Sequence, residues 1–591
     1  MEHIQKLAAI RAAMTAQHID AYIIPSSDPH ISEYLPDRFK AIAWTSGFTG
    51  SAGTLVITQD FAGLWTDARY FVQGKDQLEN TGFELVKLKS QGKAEFVEWL
   101  GEKFEKGSTV AFDGNLTSLL LAKTIQSELE PIGIQINGSV DLLDAIWENR
   151  PALPTATAYL IHPDTTGQDT ISKIAAIRRD MQKARTQAHI ISSLDDLAWT
   201  LNIRGNDVPC NPVVLGFLVI EQEKTTLFID SKKLSAADQS ELTNAHVTIE
   251  AYENVHQYIA GLRVEQLLID PKRTCYSVYE SIPSDINIIE QTNPSTFLKA
   301  VKNPTEVNLS RETMLKDGVA LTRFFKWLEE NVQSGELTEM SIADQLQSFR
   351  AAQPGFVDIS FDTIAGYKEH GALPHYKATT KSDAKLEADG LLLVDSGGQY
   401  TSGTTDITRV VSLGNITAEE KEDYTIVLKG MIDGSLAIFP HGTRGYQIDA
   451  ITRKPIWETL RNYGHGTGHG VGFFLNVHEG PHTFNPSNVD IAVEEGMISS
   501  IEPGLYREGA YGIRIENLVL SRMLSHNEFG DFMDFETLTV CYIDTDLVNK
   551  SLLDAKHIDW LNNYNAWTYN QLAPLLDAEE QEWLKGKTQA I

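Results

Sequence analysis

Five residues in the last third of the chain are of types that hold metal ions. They are Asp395, Asp406, His469, Glu502 and Glu516, in the segments VDSGGQYTSGTTDITR, GHGTGHGVG, SIEPG and GIRIEN. Four carboxylates and one imidazole form a hard, oxygen-rich set that suits Mn²⁺, Co²⁺, Fe²⁺ or Zn²⁺ rather than thiolate coordination. A pair of such ions turns water into a nucleophile near neutral pH and clamps a tetrahedral transition state. Metal-assisted hydrolysis is the chemistry this set would perform.

Strands must position these groups. The apolar run Leu391 to Val394 delivers Asp395 at a strand position, and Asp406 follows in TTDITRVV, which has strand composition. A turn between them, near Tyr400 to Ser402, places the two aspartates nearly opposite each other across a hairpin. Two carboxylates so close would repel strongly without cations. SIEPG ends a strand at Glu502, before Pro503. In GIRIENLVL, alternation puts Arg514 and Glu516 on one face and Ile513 and Ile515 on the other, so a guanidinium is expected beside a ligand carboxylate.

Histidines gather in one stretch. His465, His469, His478 and His482 lie in YGHGTGHGVGFFLNVHEGPH, where Gly464, Gly466, Gly468, Gly470 and Gly472 let other groups approach closely. His375 stands apart, in ALPHY. His478-Glu479-Gly480-Pro481-His482 matches H-E-x-x-H literally, but that zinc motif works only on a helix. Gly480 and Pro481 both disfavour one, so the zincin reading is rejected. The chain has no G-x-x-x-x-G-K-[ST] loop, no G-x-G-x-x-G in a βαβ setting and no G-x-S-x-G elbow. Phosphoryl transfer, dinucleotide chemistry and serine hydrolysis lose their usual support.

A chain of 591 residues should divide into roughly three or four domains. A net charge of −30 argues against nucleic acid and anionic membrane surfaces as partners. Cys210, Cys275 and Cys541 are too few and too scattered for a disulfide framework or a Cys-based zinc site. The first twenty residues place Ile4, Leu7, Ile10 and Met14 at helical spacing among charges, unlike a signal peptide, and no apolar run is long enough to span a membrane. A cytoplasmic location is expected.

The chain also repeats itself weakly. IRAAMTAQHIDAYIIPSSD (10–28) aligns without gaps on IRRDMQKARTQAHIISSLD (177–195), each reading as an amphipathic helix and then an apolar strand. Each copy leads to a Trp-containing segment, so two related α/β domains are expected. Pro151 and Pro154 close the first. Asn303-Pro304 closes the second, ahead of a long helical pattern through Val319, Leu321, Phe325 and Leu328. The last forty or so residues read as helical through Ile558, Leu561, Trp567 and Leu572, as a packing or dimer element.

Together these segments resemble the M24 "pita-bread" metallopeptidases, and within them the three-domain cytosolic X-Pro aminopeptidases. SDPHISEYLPDRF, WTSGFTGSAGT and WTDARYF look like the family's first creatinase-type domain, and LDDLAWTLNIRGNDVPCNPV like its second. DISFDTIAGYKEHGALPHY onward is similar to the catalytic domain, and HIDWLNNYNAW to the C-terminal dimer region. The resemblance implies two creatinase-type N-terminal α/β domains, 1–153 and 154–303, and an α+β pita-bread catalytic domain, 304–591.

It also implies two divalent ions, Mn²⁺ first, with Zn²⁺ or Co²⁺ as substitutes. Asp395 would hold one, His469 and Glu502 the other, while Asp406 and Glu516 bridge. Glu502 would take up the proton of the attacking water. His375 and His478 would hydrogen-bond the substrate carbonyl, His465 would assist positioning or proton transfer, and Tyr506 and Arg514 would lie near the proline-ring pocket. The implied substrates are short peptides with proline in second position, and the implied assembly is a homodimer. A prolidase shares the ligand set but normally lacks the middle domain, and a non-catalytic pita-bread binding protein would have lost the ligands.

Overall fold

The internal repeat appears in three dimensions as two sheets of one topology. The computed structural model describes residues 2–89 and 93–591, which fall into two compact units, Met1–Thr296 and Phe297–Ile591.

In the first unit, helix α1 (His3–Ala16) leads into strand β1 (Ala21–Pro25), which is buried throughout. Leu7, Ile10 and Met14 of α1 are buried, whereas Ile4 is exposed, so the apolar face is one turn shorter than its spacing predicts. The sheet continues with Thr54–Thr58 (β2), Ala62–Thr66 (β3), Glu84–Lys87 (β4), Thr109–Phe112 (β5) and Gln135–Asn137 (β6), in the order β4-β3-β2-β1-β5-β6. Helix α2 (Thr170–Lys183) and strand β7 (Ala188–Ile191) occupy the places the alignment assigns to the second copy. With Phe217–Glu221 (β8), Thr225–Phe228 (β9), Val247–Glu250 (β10), Gln266–Ile269 (β11) and Asn287–Glu290 (β12), they form a second sheet, β10-β9-β8-β7-β11-β12. In both sheets the central strand pairs antiparallel on one side and parallel on the other. Such strands are covered on both faces and read as unbroken apolar runs. The two halves meet reciprocally at equivalent positions after β5 and β11. Leu119 N donates to Thr274 O and Tyr276 N to Thr117 O, both at 2.8 Å.

The second unit contains the long helix α3 (Pro304–Asn331). The Asn303 side chain accepts from the Thr305 and Glu306 amides while Glu306 reaches back to the Asn303 amide, and Pro304 takes a first-turn place where no amide is needed. Val319, Leu321, Phe325 and Leu328 are buried, as their spacing predicts. Helix α4 (Glu339–Ala351) follows. Strands Ile364–Tyr367 (β13), Leu391–Ser396 (β14) and Ile407–Ser412 (β15) form an antiparallel sheet with β14 in the middle.

A six-stranded sheet packs into the same core. It runs from Phe439–Pro440 through Gly530–Thr537, Asn517–Asn527, Ile498–Ile501 and Gly468–Gly470 to Glu479–Phe484. The hairpin Gly504–Arg507/Tyr511–Arg514 stands beside it as a two-stranded sheet of its own. Near the C-terminus, helix Ala555–Leu572 buries Leu561, Tyr564 and Leu572 within its own unit, and helix Ala578–Lys587 follows it. Among the described residues no helix is long and apolar enough to cross a membrane.

Candidate metal centre

Asp395 sits on β14, opposite Ile364 on one side and Thr408 on the other. The hairpin between Asp395 and Asp406 is present, but Tyr400 pairs with Gly403, so its tip is Thr401–Ser402. A tip this far along the chain makes Thr408 the direct partner of Asp395. Asp406, immediately before β15, becomes a diagonal neighbour, and the two-residue offset keeps both aspartates on one face.

The second difference concerns Arg514. Alternation across Arg514 and Glu516 assumes one continuous strand, but the strand ends at Arg514 and a new one starts at Asn517 in the larger sheet. The guanidinium turns instead to Asp395: Nη2 donates to Oδ2 at 2.5 Å, and both side chains are buried. Glu516 is held otherwise. Its amide donates to Thr408 O at 3.1 Å, the Thr408 hydroxyl donates to its Oε2 at 2.8 Å, and Arg409 Nη1 donates to its carbonyl at 2.5 Å.

Glu502 follows Ile498–Ile501 directly, where its amide donates to Thr467 O at 2.7 Å and the Ser500 hydroxyl donates to Oε1 at 3.2 Å. His469 Nδ1 donates to Gly470 O at 2.9 Å, which fixes the tautomer and leaves Nε2 for the carboxylates. Nε2 lies 3.4 Å from Asp406 Oδ2 and 3.5 Å from Glu502 Oε1. The backbone here needs glycine. A Cβ on Gly468 would stand 1.9 Å from Ser500 O, so this strand could not pair as closely with any other residue.

The ligand atoms of Asp406, His469 and Glu516 lie within 4.8 Å of one another, and among the described residues no other group of three or more Asp, Glu, His or Cys does so. The environment fits cations. Asp395 Oδ1 and Glu516 Oε1 are buried with no hydrogen-bond partner, although a buried carboxylate oxygen normally has one. Burial pushes the carboxyl groups up: Glu502 to about 7, Glu516 well above the usual range, and Asp395 upward against the pull of Arg514. The opposite happens at His469: against burial, Asp406 and Glu502 hold the imidazole up at about 9. Several carboxylates crowded around one histidine are balanced by bound positive charge.

A hydrogen-bond chain leads outward from Asp395. Arg514 Nη1 donates to the Tyr506 hydroxyl at 2.6 Å, and that hydroxyl lies 2.7 Å from His465 Nε2. His465 Nδ1 donates to Gly466 O at 2.7 Å, so Nε2 is the acceptor and the Tyr506 hydroxyl donates to it. The chain thus joins His465, Tyr506, Arg514 and Asp395. His478 packs edge-on against His469, with ring centroids 4.3 Å apart. His375 lies in the connection from β13 to β14, and the carbonyl of its neighbour Pro374 accepts from Arg514 Nη2 at 3.2 Å.

The other residues of the histidine-rich stretch are structural. His482 Nε2 meets the Ser499 hydroxyl at 2.9 Å, and burial holds this imidazole down at about 3. Glu479 starts a strand, not a helix, and pairs with buried Lys302 and with Lys299 at 3.4 Å. A clamp on the glycine-rich loop carries no motif of its own in the sequence. From helix Gly445–Trp457, Arg453 donates to Asp449 and to the carbonyls of Tyr463 and His465, and Asp449 accepts from the Thr467 hydroxyl. The i, i+4 spacing of Asp449 and Arg453 was the available signal, but exposed helical pairs share it.

Residues 308–522 match the model of metallopeptidase family M24, and 531–591 match the C-terminal region of peptidase_M24. Residues 6–145 and 149–306 each match a creatinase/prolidase N-terminal domain. Aminopeptidase P2 of Arabidopsis thaliana is 38% identical over 99% of this chain and 88% of its own length. The chain belongs to metallopeptidase family M24. Xaa-Pro aminopeptidase 2 of Homo sapiens is 36% identical over 99% of this M24 chain and 88% of its own length. The crystal structure of X-prolyl aminopeptidase from Caenorhabditis elegans, described as a cytosolic enzyme with a di-nuclear active site, superposes with a TM-score of 0.96 at 33% identity, over 100% of both chains. An Xaa-Pro dipeptidase from Bacillus anthracis shares the fold over 63% of this chain and 98% of its own, with a TM-score of 0.51 at 22% identity. The architecture is two creatinase-type N-terminal domains followed by an M24 pita-bread domain.

Proposed function

We propose that this M24 peptidase is a metal-dependent Xaa-Pro aminopeptidase, removing the first residue from peptides with proline in second position. The likeness to X-prolyl aminopeptidases over the full chain carries this reading, ahead of a prolidase, whose fold accounts for only 63% of it.

Two divalent ions, Mn²⁺ first with Zn²⁺ or Co²⁺ as substitutes, would be held by these five side chains: Asp395 would serve one, His469 and Glu502 the other, and Asp406 and Glu516 both. The orphaned oxygens of Asp395 and Glu516 support it. Such ions supply an activated water and polarise a carbonyl. Glu502 would take up the proton of the attacking water and return it to the departing proline nitrogen. His375 and His478 donate to the carbonyl oxygen as its negative charge grows. His465, Tyr506 and Arg514 orient the substrate beside the proline ring, and their hydrogen-bond chain keeps His465 in one tautomer.

The same reading assigns the domains to 1–153, 154–303 and 304–591, with a cytoplasmic homodimer as the working form and neither nucleic acid nor membrane as partner. The test compares an Xaa-Pro-Yaa tripeptide with the corresponding Xaa-Pro dipeptide in Mn²⁺. Cleavage of the tripeptide at the Xaa-Pro bond is expected, and cleavage of the dipeptide alone would make the protein a prolidase.

A further inference from the structure

Glu339 is the first residue of α4 and is fully buried. Its carboxylate gathers donors from one excursion of the chain. Oε1 accepts from Tyr367 N at 2.9 Å and from His370 Nδ1 at 2.9 Å. Oε2 accepts from the Tyr376 hydroxyl at 2.8 Å and from Ala384 N at 3.0 Å. The first donor ends β13 and the other three are spread along the connection to β14, the segment that carries His375. The His370 ring also stacks on Tyr376, with centroids 4.5 Å apart.

A buried carboxylate is a poor device for stability alone, because desolvation offsets what its hydrogen bonds gain. This one is specific in what it fixes. His375 stands between two tethered neighbours: the Pro374 carbonyl accepts from Arg514, and the Tyr376 hydroxyl donates to Glu339. Arg514 in turn is bonded to Asp395. One tether thus runs to the metal centre and the other to a helix start.

We propose that Glu339 is a positioning residue for the reaction: with Arg514 it fixes the residues on either side of His375 and so sets the direction of that imidazole. The proposal rests on the reading of His375 as a donor to the substrate carbonyl. Glu339 itself does not reach the reacting atoms. In Glu339→Gln the volume is kept, but the new amide NH₂ faces donors where a carboxylate oxygen accepted two.

The experiment measures kcat, KM and bound metal for the Mn²⁺-loaded full chain as Glu339→Gln, His375→Ala and the double variant, on an Xaa-Pro-Yaa tripeptide. A misplacement of about 1 Å costs about 10²-fold, so kcat should fall by about ten- to a hundredfold in Glu339→Gln, with metal content unchanged. In the His375→Ala background the same change should cost less than about twofold, because groups that act as a unit are not additive. An equal loss in both backgrounds overturns the positioning role while leaving His375 in place. Wild-type turnover in His375→Ala alone overturns the reading of His375, and this proposal with it. Tyr376→Phe removes one donor without touching the carboxylate, and it should show the same coupling at smaller size if Glu339→Gln does not fold.

Discussion

Arg514 Nη2 and Asp395 Oδ2 form a buried ion pair at 2.5 Å, and the same guanidinium holds the Tyr506 hydroxyl and the Pro374 carbonyl. One planar fork therefore ties the carboxylate proposed as a metal ligand to the groups proposed to surround the substrate. Lysine carries the charge but not the fork. Arg514→Lys should lower kcat/KM by about tenfold or more while the chain stays folded, as steady-state kinetics and circular dichroism would show. Unchanged kinetics would remove Arg514 from the positioning of this site.

Asp406→Asn and Glu516→Gln should each remove most activity, by about 10²-fold or more, since even residues that only orient metal ligands cost 10–100-fold. Neither change should unfold the metal-free chain, because each nearly keeps the side chain's volume and eases the crowding of buried carboxyl groups. Near-normal turnover in either variant would contradict the bridging assignment.

Several of the proposed ligand residues stand on strong local signals in the sequence. Leu391–Val394 announces the strand that delivers Asp395, and the glycines around His469 announce a close backbone approach. The repeat was equally legible: α1 and α2 match from first residue to last at the offset of the alignment. Partners were harder. Moving a hairpin tip by one residue moves a cross-strand partner by two, so Thr408 rather than Asp406 faces Asp395. Glu516 lies where the chain changes sheets, and alternation cannot be read across such a break. Glu339 and Arg453 are single charged residues in unremarked segments, Arg409 closes a segment marked only by its aspartates, and only long-range packing makes the three buried hubs.

Metal binding should stabilise the folded protein by mass action. Saturating the chelator-treated protein at about a hundred times the dissociation constant adds about 2.7 kcal/mol. Mn²⁺ should therefore raise the thermal transition of the metal-free wild type, and the rise should be much smaller in Asp406→Asn. Equal shifts in both proteins would place the binding elsewhere.

His189 gives the first unit an acid sensitivity separate from catalysis. Its Nδ1 donates to Leu268 O at 3.0 Å, and burial holds the imidazole down at about 4. Between an unfolded value of about 6.5 and this folded value, the unfolded chain binds the extra proton. Stability of the first unit should then fall as pH drops from about 6.5 to about 4, by on the order of 3 kcal/mol over the whole window. His189→Leu should flatten this slope. Urea unfolding of wild type and variant at pH 7 and pH 4.5 checks it, and parallel slopes would rule it out.

Diffraction at the manganese absorption edge from crystals grown with Mn²⁺ would locate the ions among these five side chains. Two anomalous peaks per chain are expected, with Asp406 and Glu516 contacting both, Asp395 contacting one and His469 with Glu502 contacting the other. A single peak, or two peaks that do not share Asp406 and Glu516, would contradict this assignment.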